Sequence, residues 1–329
     1  MMTTYTVADG RLDLGDGIQP ASILRAATWI DLLNASREEV QAVEQALALE
    51  LPTREEMQEI ESSSRLYREG EALFLTANFL YGADQGEYGS TPITFVLAGH
   101  TLLTVRHATP KAFAAFGNRA RRTPSLLSSA DAVMLHLFEQ VVDRLADILE
   151  RIGADMDRAS QSAFRTARGT THKKANARDA DLKSVLIALG EVGEVTSRAR
   201  ETLLGLTRIL TFINAEKGQA LRKENKATIK VLERDVRSLV EHASFLSNKA
   251  NFLLDAVLGI INIDQNGIIK TFTVASVALM PPTLVASIYG MNFSSMPELS
   301  WRFGYPAALL LMICSAVLPI LYFKRKGWL

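Results

Sequence analysis

Residues 271–289 read TFTVASVALMPPTLVASIY, and this stretch decides the fold. It carries no charge, and at ~1.5 Å per residue a helix of that length comes close to crossing the ~30 Å hydrocarbon layer of a bilayer. It is read as a membrane-spanning helix. A second uncharged run, residues 305–323 (YPAALLLMICSAVLPILYF), has a similar length and is followed at once by Lys324, Arg325 and Lys326. The two runs form a helical hairpin joined by the short loop 290–304, GMNFSSMPELSWRFG. Lys270 and the basic run 324–326 outweigh Arg302, alone in the loop, which predicts that both long ends are cytoplasmic. Trp301, Tyr305, Tyr322 and Trp328 stand where an interfacial aromatic belt belongs.

Composition bounds the rest. The 329 residues carry 36 basic and 36 acidic side chains, so nothing in the total charge favours nucleic acid as a partner. The opening MMTTYTVADG lacks a basic start and an apolar core, so no cleaved signal peptide is expected. The single Cys314 lies inside the second span, and no disulfide framework is available within one chain. The residues ahead of the spans suffice for a sizeable folded domain plus long helices.

Residues 1–122 read as a mixed α/β domain. Residues 27–32 (ATWIDL) form a strand, and residues 36–49 a helix with Val40, Val43, Ala46 and Leu47 on one face, Ser36 as N-cap and Glu39 three residues on. Residues 73–80 and 93–105 are apolar, β-branched and aromatic, with Ala98-Gly99-His100 turning the second back on itself. From 123 to 215 the pattern is an antiparallel pair of long helices. Its tip, with Arg165, Arg168, Lys173, Lys174 and Arg178, is either a solvated end or a binding patch. No glycine-rich phosphate loop and no Ser/His/Asp or Cys/His set at recognisable spacing occurs, so no enzyme is predicted. His100, His107, His136, His172 and His242 show no tight metal-ligand spacing.

Residues 216–270 read as a stalk helix. Ile229, Leu232, Val236, Leu239, Ala243, Leu246, Ala250, Leu253, Val257 and Ile260 follow at steps of three and four, a sustained heptad seam. Only Gly267 interrupts helix propensity, so the stalk is expected to run straight into the first span. A second stripe at the same spacing is small or polar even in the membrane: Asp255, Gly259, Asn262, Asn266, Ile269, Thr273, Ser276, Met280, Thr283 and Ser287. It fits a close-packed helix interface. It equally fits a water-containing pore, with Ile269 and Met280 as apolar constrictions and Asn266, Thr273 and Thr283 as polar rings. Two spans cannot enclose a channel, so the pore reading requires a homo-oligomer.

Tyr289-Gly290-Met291-Asn292-Phe293, then Met296-Pro297-Glu298-Leu299, Trp301, Gly304-Tyr305-Pro306 and the basic ending 324–329 resemble the CorA-type magnesium and divalent-cation transporter family. The likeness is tight over residues 247–329. It implies a funnel-shaped homopentamer in the inner or plasma membrane, both termini cytoplasmic. An α/β domain is followed by long stalk helices, a pore-lining first span (271–289), the Gly-Met-Asn loop (290–304), a second span (305–323) and a basic tail (324–329).

By the same resemblance, Gly290, Met291 and Asn292 supply a selectivity site for hydrated Mg²⁺, and Glu298 adds local negative potential unless it is only a solubilising loop residue. Asn266, Ile269, Phe272, Met280 and Thr283 match pore-lining positions, although Phe272 lies beside the polar stripe. Asp255 matches an acidic position that binds a regulatory divalent ion between neighbouring subunits, with Glu55 or Glu56 as partner. The basic tip departs from the acidic tip common in the family. The substrate expected is Mg²⁺, with Co²⁺, Ni²⁺ or Zn²⁺ as alternatives. A membrane-anchored scaffold oligomer is the contrasting reading.

Overall fold

The computed structural model describes residues 1–329 apart from 9, 84, 85, 87, 168–174, 217–221, 293–295, 298–300 and 329. The chain divides into two compact units, one of residues 1–165 and 183–254, the other of residues 166–182 and 255–329.

The first unit is built on a seven-stranded sheet. Its strands are β1 (Met2–Ala8), β2 (Arg11–Asp16), β3 (Trp29–Leu33), β4 (Leu66–Glu69), β5 (Ala72–Tyr81), β6 (Gly89–Ala98) and β7 (Thr101–Arg106), in the order β2-β1-β3-β7-β6-β5-β4. All neighbours are antiparallel except β3 and β7, which pair parallel with Trp29 opposite Leu102 and Leu33 opposite Arg106. The β6–β7 hairpin turns at Gly99, whose φ of +61° lies in the left-handed region that glycine enters freely. β7 is buried along its whole length, as a central strand covered on both faces must be.

Short helices α1 (Ala21–Ala26), α2 (Arg37–Leu47) and α3 (Ser62–Arg65) belong to this domain. So does α4 (Lys111–Arg122). Ser36 caps α2 by accepting from the Glu39 amide while the Glu39 carboxylate accepts from the Ser36 amide, the reciprocal box that the sequence spacing predicts. One apolar cluster joins Leu24, Val43 and Ala46 to Ile30, Leu32, Phe74, Val96 and Leu103. On Phe95 meet rings from three other elements, Phe79, Phe113 and Phe138, with Phe138 edge-on at 5.0 Å between centroids. Within this core Asp31 and Arg106 form a buried ion pair: Arg106 Nη2 and Nε donate to the two carboxylate oxygens at 2.7 and 2.9 Å.

Three long helices follow: α5 (Ala130–Ala167), α6 (Ala175–Ala215) and α7 (Lys226–Tyr289). α6 passes hard against β5. The Leu80 amide donates to Thr202 Oγ1 at 3.0 Å, and a Cβ on Gly205 would stand 2.8 Å from that of Ala77. Asp131, at the start of α5, accepts from the Arg222 amide and from Asn225 Nδ2. Near the other end, Lys249 Nζ donates to Asp157 at 2.6 Å, so α5 and α7 run parallel here. Of the heptad seam, Ile229, Leu232, Val236, Ala243, Leu246, Ala250, Leu253 and Val257 are buried, while Leu239 and Ile260 are half-buried.

The second unit contains the end of α7 and α8 (Gly304–Arg325), and both helices are long and apolar enough to cross a membrane. α7 continues as one helix of 64 residues through Gly267 and through Pro281 and Pro282. Those two prolines have no N–H to offer the carbonyls four residues back. Lys270 Nζ lies 5.9 Å from the Trp328 ring centroid, so the chain after α8 returns to the start of the first span and the two helices form a hairpin. Of the basic tip, Arg165 donates its Nε–H to the Gln161 carbonyl. Arg168, His172, Lys173 and Lys174 lie outside the described residues, as does the Arg178 side chain.

Candidate functional site: the polar face of the long helix

In the membrane-length part of α7 the buried residues are Val274 and Ala278, and on α8 they are Gly304 and Ala308. Small residues let two helices approach closely in a medium where apolar burial gives no drive. At 100° per residue, Val274 and Ala278 stand about 120–180° around the helix from Ile269, Met280 and Ser287. The polar stripe therefore occupies the side turned away from the packed one. Asn266, Ser276, Thr283 and Ser287 are exposed and Thr273 is half-buried; among the apolar members Ile269 is 60 % and Met280 69 % exposed. Phe272, at 71 %, is exposed beside them. Within one chain, then, this stripe is no helix–helix interface.

The threonines on this face have committed their protons. Thr273 Oγ1 donates to the Ile269 carbonyl at 2.8 Å and Thr283 Oγ1 to the Leu279 carbonyl at 2.7 Å. Their remaining function outward is that of an oxygen acceptor. Such a surface suits the waters of a hydrated cation, which point their hydrogens away from the metal.

α7 ends at Tyr289 because the chain turns there. The Gly290 amide still reaches the Ala286 carbonyl at 3.0 Å, and the Met291 amide closes a tighter loop on Ile288 at 3.2 Å. A Cβ on Gly290 would stand 3.2 Å from the Ala286 carbonyl oxygen, so any larger residue here would be tightly packed against the last turn. Met291 and Asn292 follow directly and are exposed, and the Asn292 amide has no hydrogen bond among the described residues. Phe293 and Glu298 lie outside the described residues.

Asp255 is exposed and belongs to the second unit, whereas Glu55 and Glu56 are exposed in the first. Glu56 is already engaged locally: its carboxylate accepts from the Thr53 amide at 2.8 Å while its own amide donates to Thr53 Oγ1. Among the described residues no group of three or more His, Cys, Asp or Glu is gathered to hold a metal within one chain.

The family model described as "CorA-like Mg2+ transporter protein" matches residues 25–325. The chain belongs to this CorA-like family. The CorA magnesium transport proteins of Escherichia coli K12 and Sodalis glossinidius are 34 % and 35 % identical to it, each over 329 residues and the full length of both chains. In the complete structure of the CorA magnesium transporter from Methanocaldococcus jannaschii the same fold recurs, with a TM-score of 0.75 over all of this chain and 99 % of that one. At 15 % identity that last likeness is one of fold alone. The CorA-like match takes in the Gly290-Met291-Asn292 turn, the polar face of α7 and both apolar helices.

What the sequence missed in this unit is the Lys270–Trp328 pairing. Its signal was present in a lysine opening one span and a tryptophan closing the tail of the other.

Proposed function

We propose that the chain transports Mg²⁺ across the inner or plasma membrane as a passive, gated homopentamer, with both termini in the cytoplasm and the polar face of α7 turned to the common axis. The observation that carries this is the acceptor face: it lies opposite the buried side of Val274 and Ala278, and it ends at Gly290-Met291-Asn292. A two-span chain has no enclosed path of its own, so the face is completed by copies of itself.

Mg²⁺ dehydrates reluctantly and keeps most of its waters when bound. A ring of Asn292 amide oxygens at the outer mouth meets those waters rather than the bare ion, and Thr283 and Thr273 repeat the acceptor chemistry below. Ile269 and Met280, with Phe272 at their side, form apolar collars that empty of water when narrow and so close the path. Glu298 raises the cation concentration at the entrance. Asp255 and an acid of the neighbouring subunit, Glu55 or Glu56, hold a regulatory Mg²⁺ when the internal concentration is high. That ion closes the gate only through tighter binding to the closed state. Neutral oxygen acceptors read hydration and charge, so Co²⁺ and Ni²⁺ are the competing ions, and Zn²⁺ gains no soft ligand here.

Two measurements test the assembly and the lining together. Native mass spectrometry should give five chains. A bulky thiol reagent should block flux through Thr283→Cys and Ser287→Cys proteins, in a background where Cys314 is serine, and spare Leu310→Cys on α8. A monomer, or equal block at Leu310→Cys, contradicts the proposal and favours a tethered scaffold.

A further inference from the structure

The first unit holds a cleft of about 310 Å³ that the transport reading does not use. Tyr5, Asp31 and Arg106 line it from the sheet, and Gly117, Asn118 and Arg121 from α4. Asp31 is fully engaged, since Arg106 takes both of its oxygens and the Thr104 hydroxyl donates to one of them at 2.7 Å. It leaves no open negative charge.

Tyr5 is different. Its ring stacks on Trp29 at 4.2 Å between centroids and the residue is only 7 % exposed, yet its hydroxyl has no hydrogen-bond partner among the described residues. Buried hydroxyls are normally satisfied, and an unpaired one asks for a partner that is not part of the chain. The space beside it is kept open by Gly117, where a Cβ would stand 3.2 Å from the phenol oxygen. Burial, then Asp31, push the Tyr5 phenol above its ordinary value against the pull of Arg121 and Arg106, so it stays protonated and offers an O–H donor. Arg121 forms no ion pair among the described residues and stands close enough to act on that phenol.

We propose that this cleft binds a small oxyanion, a phosphate or a carboxylate, with Tyr5 and Asn118 donating hydrogen bonds and Arg121 supplying the charge. A guanidinium beside a neutral O–H donor is the pairing that such oxyanions take. The site is independent of the ion path and does not rest on it.

The test is calorimetric titration of the purified full-length protein with inorganic phosphate and, separately, citrate, on the native chain and on Tyr5→Phe and Arg121→Gln. Saturable binding of one oxyanion, weakened about tenfold or more in both variants, is expected. Which of the two binds assigns the class. Tyr5→Phe keeps the ring stack; if it fails to fold, the exposed Arg121→Gln decides alone. No saturable binding of either anion at millimolar concentration, or binding unchanged by the substitutions, overturns the proposal.

Discussion

The Lys270 ammonium sits 5.9 Å from the centre of the Trp328 ring, although the two residues stand at opposite ends of the hairpin's sequence. A cation over an aromatic face contributes about 0.5–1 kcal/mol at an exposed site. The greater consequence is topological, because the start of the first span and the end of the chain lie on one side. In a background with Cys314 as serine, Lys270→Cys and Trp328→Cys should react with an impermeant maleimide from the same side of a sealed membrane. Arg302→Cys should react from the other. Labelling of positions 270 and 328 from opposite sides would refute the hairpin.

The Asp31–Arg106 pair predicts an asymmetric mutational response. Arg106→Met leaves a carboxylate buried without its partner and should cost about 3–5 kcal/mol, a large share of a domain's stability. Replacing both, Asp31→Leu with Arg106→Met, should recover much of that loss. Thermal unfolding of the purified protein reads the difference. Equal damage from the single and double changes would mean that the stranded carboxylate is not the source of the loss.

Asp131 gives the pH dependence. Burial alone would push its carboxyl up, but hydrogen bonds from the Ser129 hydroxyl, the Arg222 amide, Asn225 and the Ala132 amide outweigh it and hold it below the ordinary carboxylate value. A carboxylate lowered on folding contributes stability above its unfolded value, and that stability is lost as pH falls through the folded one. The junction between α5 and the start of α7 should therefore loosen in acid. Hydrogen exchange at the Arg222 amide should speed up at acid pH by more than intrinsic chemistry allows, and Asp131→Ala should show the fast rate already at neutral pH. Flat protection across that range would exclude the clamp.

Gly205 predicts an overpacking cost. Its missing Cβ lets α6 approach β5, and Gly205→Leu should cost about 1–3 kcal/mol as the helix is pushed off Ala77. Chemical denaturation reads this directly. A neutral result would show that α6 moves without penalty.

Much of this architecture can be read before any coordinates, for identifiable reasons. Uncharged runs of membrane length, the heptad seam from Ile229 to Ile260 and the Ser36–Glu39 box are local patterns, and each leaves a mark in consecutive residues. β1, β2 and β4 are not legible in this way. β2 and β4 are short and largely exposed, with no clean alternation, and β1 gains its place by pairing between β2 and β3. The parallel register of β3 against β7 joins residues some seventy positions apart and leaves no trace in either strand alone. In the polar face, spacing identifies the stripe, but which side of α7 is buried, that of Val274 and Ala278, is set by packing that the spacing does not carry. The proton commitment of Thr273 and Thr283 likewise depends on rotamers rather than on residue type.

The central claim is that Mg²⁺ crosses along the α7 face and is selected at Asn292. Its most direct test is Mg²⁺ entry into proteoliposomes carrying the purified oligomer, with Asn292→Ala and the nearly isosteric Thr283→Val measured alongside, and with Co²⁺, Ni²⁺ and Zn²⁺ offered to the same preparation. Mg²⁺ flux in the native protein, abolished by Asn292→Ala and reduced by Thr283→Val, is the predicted result. Mg²⁺ flux that survives both substitutions, or no flux of any ion through a correctly assembled oligomer, would contradict it.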